Sequence, residues 1–262
     1  MHRSGATAGV GCSSLRRGVQ PNRYRRSGER GIGRYLPQCN VRLSRQLAWA
    51  RAMATAREGP RPSADEALAR LIEGNRRFLR GEARISAFPR ETLIDLAKVQ
   101  QPYATVLGCS DSRVPPEWIF DTGLGELFVV RVAGNILSPE IAGTLQYAGS
   151  YLETPLFVIL GHEGCGAISA ALATKHAGEQ FRARVQLLLA SIVPGLPDFD
   201  PTLSPAEQAS RAVESNVRRT VRQILESPEG QARLAEGRTK IVGAVYEIET
   251  GRVRFLPADE GT

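Results

Sequence analysis

Apolar residues along this chain recur with two different periods, and the switches between them mark out a series of helices and strands. Leu68, Leu71, Ile72 and Leu79 fall at helical spacing behind Ser63-Ala64-Asp65-Glu66, in which the serine and the glutamate three residues on can each cap the other's backbone amide. Gly81 predicts the end of that helix. Tyr103-Ala104-Thr105-Val106-Leu107-Gly108, Leu127-Phe128-Val129-Val130-Arg131-Val132 and Leu156-Phe157-Val158-Ile159-Leu160-Gly161 each predict a short buried strand. Between the last two, Ser138-Pro139-Glu140 starts a helix, with serine as cap and proline in the first turn. A further helix is predicted from Ala167 to about Lys175, opened by Gly164-Cys165-Gly166. Ser204-Pro205-Ala206-Glu207 repeats the serine cap before a long helix whose apolar stripe is Val213, Val217, Val221, Ile224 and Leu225. Ile241 to Tyr246 reads as a fourth strand, and Glu249-Thr250-Gly251-Arg252 as a turn leading to Val253-Arg254-Phe255-Leu256 at an antiparallel edge.

Near-continuous apolar strands alternating with helices predict an α/β fold. We expect a mainly parallel β-sheet, about four parallel strands plus an antiparallel edge strand, covered by helices. The stretch 194–205, rich in proline, reads as a loop between helices, so residues 61–262 are expected to form a single domain. No apolar run approaches the length of a membrane span.

Charge changes the picture at one end only. The formal net charge is +7, yet residues 1–52 hold eleven arginines and one acid, Glu29, which leaves the remainder slightly acidic. Such a body gives no reason to expect nucleic acid as a partner. Residues 1–60 read as a disordered Arg-rich tail with two possible origins. Rich in Arg, Ser and Gly, it resembles an organelle transit peptide. Alternatively it lies ahead of the true start, because the only methionines are Met1 and Met53, and Met53 stands just before the first well-patterned segment. The first origin implies a mitochondrion or plastid; the second implies the cytoplasm.

The cysteines add the chemistry. Cys12 and Cys39 lie in the tail, whereas Cys109 and Cys165 each sit beside metal-type partners, so a disulfide framework is not expected. Cys109 stands in Gly108-Cys109-Ser110-Asp111-Ser112-Arg113, directly after the first strand, and His162 and Cys165 in Gly161-His162-Glu163-Gly164-Cys165-Gly166, after the third. In open α/β sheets ligands bind beyond the carboxyl ends of strands. Two thiolates with an imidazole favour zinc over magnesium or calcium, and a helix start beside Cys165 favours its thiolate. Three protein ligands with one open position describe a catalytic zinc site; four permanent ligands describe a structural one. Asp111 can reach the metal and close the site, or be held away by Arg113 and leave it open. Gly123-Leu124-Gly125 lacks the third glycine of a dinucleotide fingerprint and precedes a strand.

These residues resemble the beta-class carbonic anhydrases over about residues 64–256. The likeness is carried by Cys109 to Pro115, by Phe128-Val129-Val130-Arg131 with Asn135 following, and by Gly161 to Gly166. It implies one zinc ion per chain on Cys109, His162 and Cys165, with Asp111 alternating between the metal and Arg113. It further implies reversible hydration of carbon dioxide to bicarbonate and a proton by a zinc-bound hydroxide. Zinc lowering the pKa of its water to about 7 is the effect documented for carbonic anhydrase itself, in a site with other ligands. Gln100, nine residues before Cys109, matches a glutamine that donates to bicarbonate. Phe128 and Tyr147 match apolar pocket positions, plain core packing being the alternative.

Ala133 falls where the family often has valine. Val106 replaces the tryptophan that lines a regulatory bicarbonate pocket in some members, which argues against that regulation here. The resemblance also implies a homodimer or homotetramer, with the first helix packing on its partner. His176 is the one histidine left for proton transfer besides His2, and a solvated helix end is its plainer role. Hydrolysis of carbonyl sulfide or carbon disulfide on the same ligands is the enzymatic alternative. A non-catalytic zinc-stabilised module is the other.

Overall fold

The structure, a computed structural model, describes residues 61–84, 93–94 and 96–258. The Arg-rich tail, Cys12, Cys39 and Met53 lie outside the described residues. Helix α1 spans Ala64–Leu79 and begins with the expected reciprocal cap: the Ser63 hydroxyl accepts from the Glu66 amide at 3.2 Å, and the Ser63 amide donates to the Glu66 carboxylate at 2.7 Å. Strand β1, Ala104–Gly108, leads into a one-turn helix α2, Pro116–Ile119. Then come β2, Leu127–Arg131; a 3-10 turn, Ala133–Asn135; α3, Pro139–Ser150; and β3, Leu156–His162. After these follow α4, Gly166–Ala177; α5, Ala183–Ile192; α6, Pro205–Glu226; α7, Pro228–Ala235; β4, Lys240–Tyr246; and β5, Val253–Phe255.

The five strands form one sheet in the order β2-β1-β3-β4-β5, with β5 alone antiparallel. Every residue of β1 and β3 is buried, as strands covered on both faces must be. From β1 the chain moves outward to β2 on one side, and from β3 to β4 on the other. The switch point of the sheet therefore lies between the carboxyl ends of β1 and β3, where such folds leave a crevice.

Helix α6 covers β3 and β4 more closely than side chains would ordinarily allow. A Cβ on Gly161 would lie 2.5 Å from Val217 Cγ2, and one on Gly243 would lie 2.8 Å from Val217 Cγ1. Val217, fully buried, thus seats the helix between two bare backbone positions on adjacent strands. Three helices, the one-turn α2 and the longer α5 and α7, lie beyond the expected set. In α5, Leu187 is 65% exposed while Leu189 and Ile192 are fully buried, so no clean stripe marks the element in the sequence. Helix α7 uses the same serine-proline device as α3 and α6, with Ser227 accepting from the Gly230 amide at 3.0 Å.

This seating makes Gly243→Ala an overpacking substitution, expected to destabilise the fold by about 1–3 kcal/mol in urea unfolding. Adding Val217→Ala should recover part of the loss. Unchanged stability of Gly243→Ala would contradict the close approach.

Candidate metal centre

Sheet register sets the site. Gly108 pairs with Leu160, so Cys109, one residue past β1, stands beside the end of β3, where His162 is the last strand residue. Cys165 caps the N-terminus of α4 three residues later. The three potential ligand atoms lie within 4.8 Å of one another, the two sulfurs 3.9 Å apart. All three side chains are buried.

The imidazole is already oriented for a metal. His162 Nδ1 donates to the Glu163 carbonyl at 2.8 Å, which puts the ring proton on that nitrogen and leaves Nε2 with its lone pair. Nε2 is buried and has no hydrogen-bond partner. An orphaned, correctly tautomeric nitrogen facing two sulfurs fits a soft divalent cation, and the donor set fits zinc.

Electrostatics of the bare group point the same way. The Cys109 thiol is held well below its usual range, chiefly by donation from the Cys165 thiol, with help from His162 and the Gly134 amide against the penalty of burial. Cys165 is pushed up, first by that bond to Cys109 and then by burial, although the Ala167 and Ile168 amides at the start of α4 favour its thiolate. For His162, burial opposes the charged form, but the nearby Cys109 sulfur, the Glu163 carbonyl and the Asp111 carboxylate outweigh it and raise the group. One proton shared between two sulfurs is what a cation of higher charge would replace.

Asp111 stands at the rim. Its carboxylate takes a two-pronged grip from Arg113, Nε to Oδ1 at 2.9 Å and Nη2 to Oδ2 at 2.8 Å, while the Arg113 amide donates to Oδ1 at 3.0 Å. Arg113 Nη2 also donates to the Gly164 carbonyl at 3.2 Å, anchoring the pair to the loop that carries Cys165. Asp111 Oδ2 nevertheless remains 3.9 Å from His162 Nε2.

Two contacts shape the centre in ways the residue pattern does not reveal. Arg131 Nε donates to the Cys109 carbonyl at 2.9 Å and Nη2 donates to the Asp111 carbonyl, so one guanidinium from the end of β2 clamps the ligand loop. The Gly134 amide donates to Cys109 Sγ at 3.4 Å. The run containing Arg131 and Asn135 stands out in the sequence, but nothing in it tells which backbone groups it touches.

Gln100 is exposed on the segment leading into β1. Phe128 and Tyr147 meet each other, ring centroids 6.0 Å apart, and Tyr147 also meets Tyr151 at 5.5 Å. Among the described contacts none joins these rings to the two cysteines. Ala133 opens the 3-10 turn, and Val106 is fully buried in β1. His176 is exposed in the last turn of α4, its ring centroid 5.8 Å from that of Phe199.

A buried Cys-His-Cys group at the switch point of a parallel sheet defines an α/β protein built around a potential metal site. A profile described as carbonic anhydrase matches residues 104–253. Carbonic anhydrase 2 of Mycobacterium tuberculosis is 37% identical over 186 residues, spanning 70% of this chain and 87% of that protein. The carbonic anhydrase of Mycolicibacterium smegmatis is 36% identical over 189 residues, spanning 71% and 89%. Among solved structures, the beta-carbonic anhydrase CcaA superposes with a TM-score of 0.59 at 27% identity, covering 74% of this chain and 93% of that one. The Coccomyxa beta-carbonic anhydrase in complex with acetazolamide gives 0.56 at 29% identity, covering 72% and 86%. This chain belongs to the beta-class carbonic anhydrase family and is an enzyme of that family.

The Arg113 guanidinium holds the Asp111 carboxyl well below the usual carboxylate range. Its stabilising contribution is therefore complete above pH about 4 and fades only as acid protonates the group below that range. Arg113→Ala should let the Asp111 carboxyl return toward its ordinary value, read from the pH titration of its side-chain carbon by NMR. An unchanged midpoint would show that Arg113 does not hold the acid.

Proposed function

We propose that the chain catalyses zinc-dependent, reversible hydration of carbon dioxide to bicarbonate and a proton. The observation that carries this reading is the buried Cys109, His162 and Cys165 set with its unpaired imidazole nitrogen. These three residues would hold one zinc ion per chain. Bound there, zinc supplies Lewis acidity that makes a water molecule acidic enough to react near neutral pH.

The protein's own residues do the rest. Arg113 keeps Asp111 ionised and draws it aside, so that its carboxylate would not take a place on the metal that water could occupy. Kept ionised, Asp111 serves as an acceptor that orients the reacting water through one of its O–H groups. Its low proton affinity near neutrality makes it a poor final acceptor of the released proton. Release from Arg113 would let Asp111 take the fourth position itself and shut the site. We assign Gln100, Phe128 and Tyr147 to substrate binding, on the strength of the family pattern.

We further propose that the chain works as a homodimer or homotetramer. Large exposed apolar side chains, Trp118 at 55% and Leu124 at 51%, support this. No helix among the described residues is long and apolar enough to cross a membrane. The proposed compartment is the cytoplasm, or an organelle if the tail is a transit peptide.

Stopped-flow measurement with a pH indicator should show the zinc-loaded protein accelerating carbon dioxide hydration. Cys165→Ser should lose both zinc and activity, and Asp111→Asn should retain zinc with activity reduced about 10–100-fold. No acceleration by the zinc-loaded wild type would refute the reading. Release of hydrogen sulfide from carbonyl sulfide without carbon dioxide hydration would replace it with the hydrolase alternative.

A further inference from the structure

Helix α6 carries two polar side chains on its otherwise apolar buried face. Asn216 and Thr220, one turn apart, are each only 2% exposed. A buried amide is unfavourable unless it is hydrogen-bonded, so its partner matters. Asn216 Nδ2 donates to the Gly134 carbonyl at 2.9 Å, and Thr220 Oγ1 donates to the Asn135 carbonyl at 3.4 Å. Both therefore grip consecutive carbonyls of one short turn, the turn after β2.

That turn faces the metal centre. The Gly134 amide donates to Cys109 Sγ, so one residue is held by α6 through its carbonyl and presents its N–H to a sulfur. Gly134 sits at φ 69° and ψ 19°, a left-handed conformation. A Cβ there would lie 2.8 Å from Ile192 Cδ1 and 3.2 Å from the Ala167 side chain, so only glycine fits. A backbone in this region is not held by local preference alone. The Asn216 bond to the Gly134 carbonyl and the 2.9 Å bond from the Asn135 amide to the Val132 carbonyl fix the peptide plane after Gly134, and so restrict rotation of the preceding plane, whose N–H faces the sulfur.

We propose that Asn216 is a positioning residue for the metal centre, acting through Gly134 on the Cys109 sulfur. An N–H donated to a thiolate draws charge from the sulfur and fixes the direction of its lone pairs. Both effects alter how the sulfur binds a cation. Thr220 steadies the same turn at the next carbonyl. The inference rests on Cys109 being a metal ligand.

The test compares wild type with Asn216→Leu, which keeps the branched shape and removes the donor. Val213→Ala is the control, since it loosens the same helix without removing a hydrogen bond to the turn. Zinc affinity is measured by competition with a chelator, and the thiolate-to-cobalt charge-transfer band is recorded on the cobalt-substituted proteins. Asn216→Leu should bind zinc about 10–100-fold more weakly and shift the band. Val213→Ala should leave the band where it is in wild type. If Asn216→Leu does not fold, Asn216→Ser, too short to span to Gly134, carries the same expectation. Wild-type zinc affinity and an unmoved band in the folded Asn216 variant would overturn the proposal. So would an equal band shift in Val213→Ala. Failure of the wild type to bind zinc or cobalt would instead sink the metal-ligand reading.

Discussion

Two sulfurs and an imidazole nitrogen within 4.8 Å, all buried, form a group that is electrostatically incomplete by itself. The Cys165 thiol holds that of Cys109 below its usual range, and His162 Nε2 finds no hydrogen-bond partner. Burying such groups without partners is costly, and a cation held among the three would offset that cost. Most other features of the structure serve to hold those three atoms together.

The sheet does the first part. Because β1 and β3 are neighbours but their connections leave in opposite directions, their ends bound a crevice that no following strand fills. β1 delivers Cys109 there, β3 delivers His162, and α4 begins at once, so that its first amides face Cys165. Backbone bonds do the second part. The Glu163 carbonyl sets the tautomer of His162, Arg131 clamps the carbonyls of Cys109 and Asp111, and Gly134 faces the Cys109 sulfur. Arg113 then holds Asp111, whose carboxylate lies 3.9 Å from His162 Nε2.

Much of this was legible in the sequence, for physical reasons that differ by element. The strands are uninterrupted apolar runs, and the caps at Ser63, Ser138 and Ser204 are local signals spanning four residues, so both survive without knowledge of the fold. The Cys-His-Cys set was legible because each half sits at the carboxyl end of a strand. Helix α5 was not, because its apolar residues face both solvent and core, and α7 is short and contains Gly230. The supporting contacts were least visible. Asn216 and Gly134 are separated by 82 residues, and a backbone carbonyl leaves no mark in a sequence of side chains. The Asp111–Arg113 pair is close in sequence, yet its tie to Gly164, 51 residues from Arg113, appears only in three dimensions.

X-ray absorption at the zinc edge of the purified protein tests the account most directly. It predicts one zinc per chain with two sulfurs at about 2.3 Å, one imidazole nitrogen at about 2.0–2.1 Å and one oxygen. A protein that binds no metal, or a shell with fewer than two sulfurs, would contradict it.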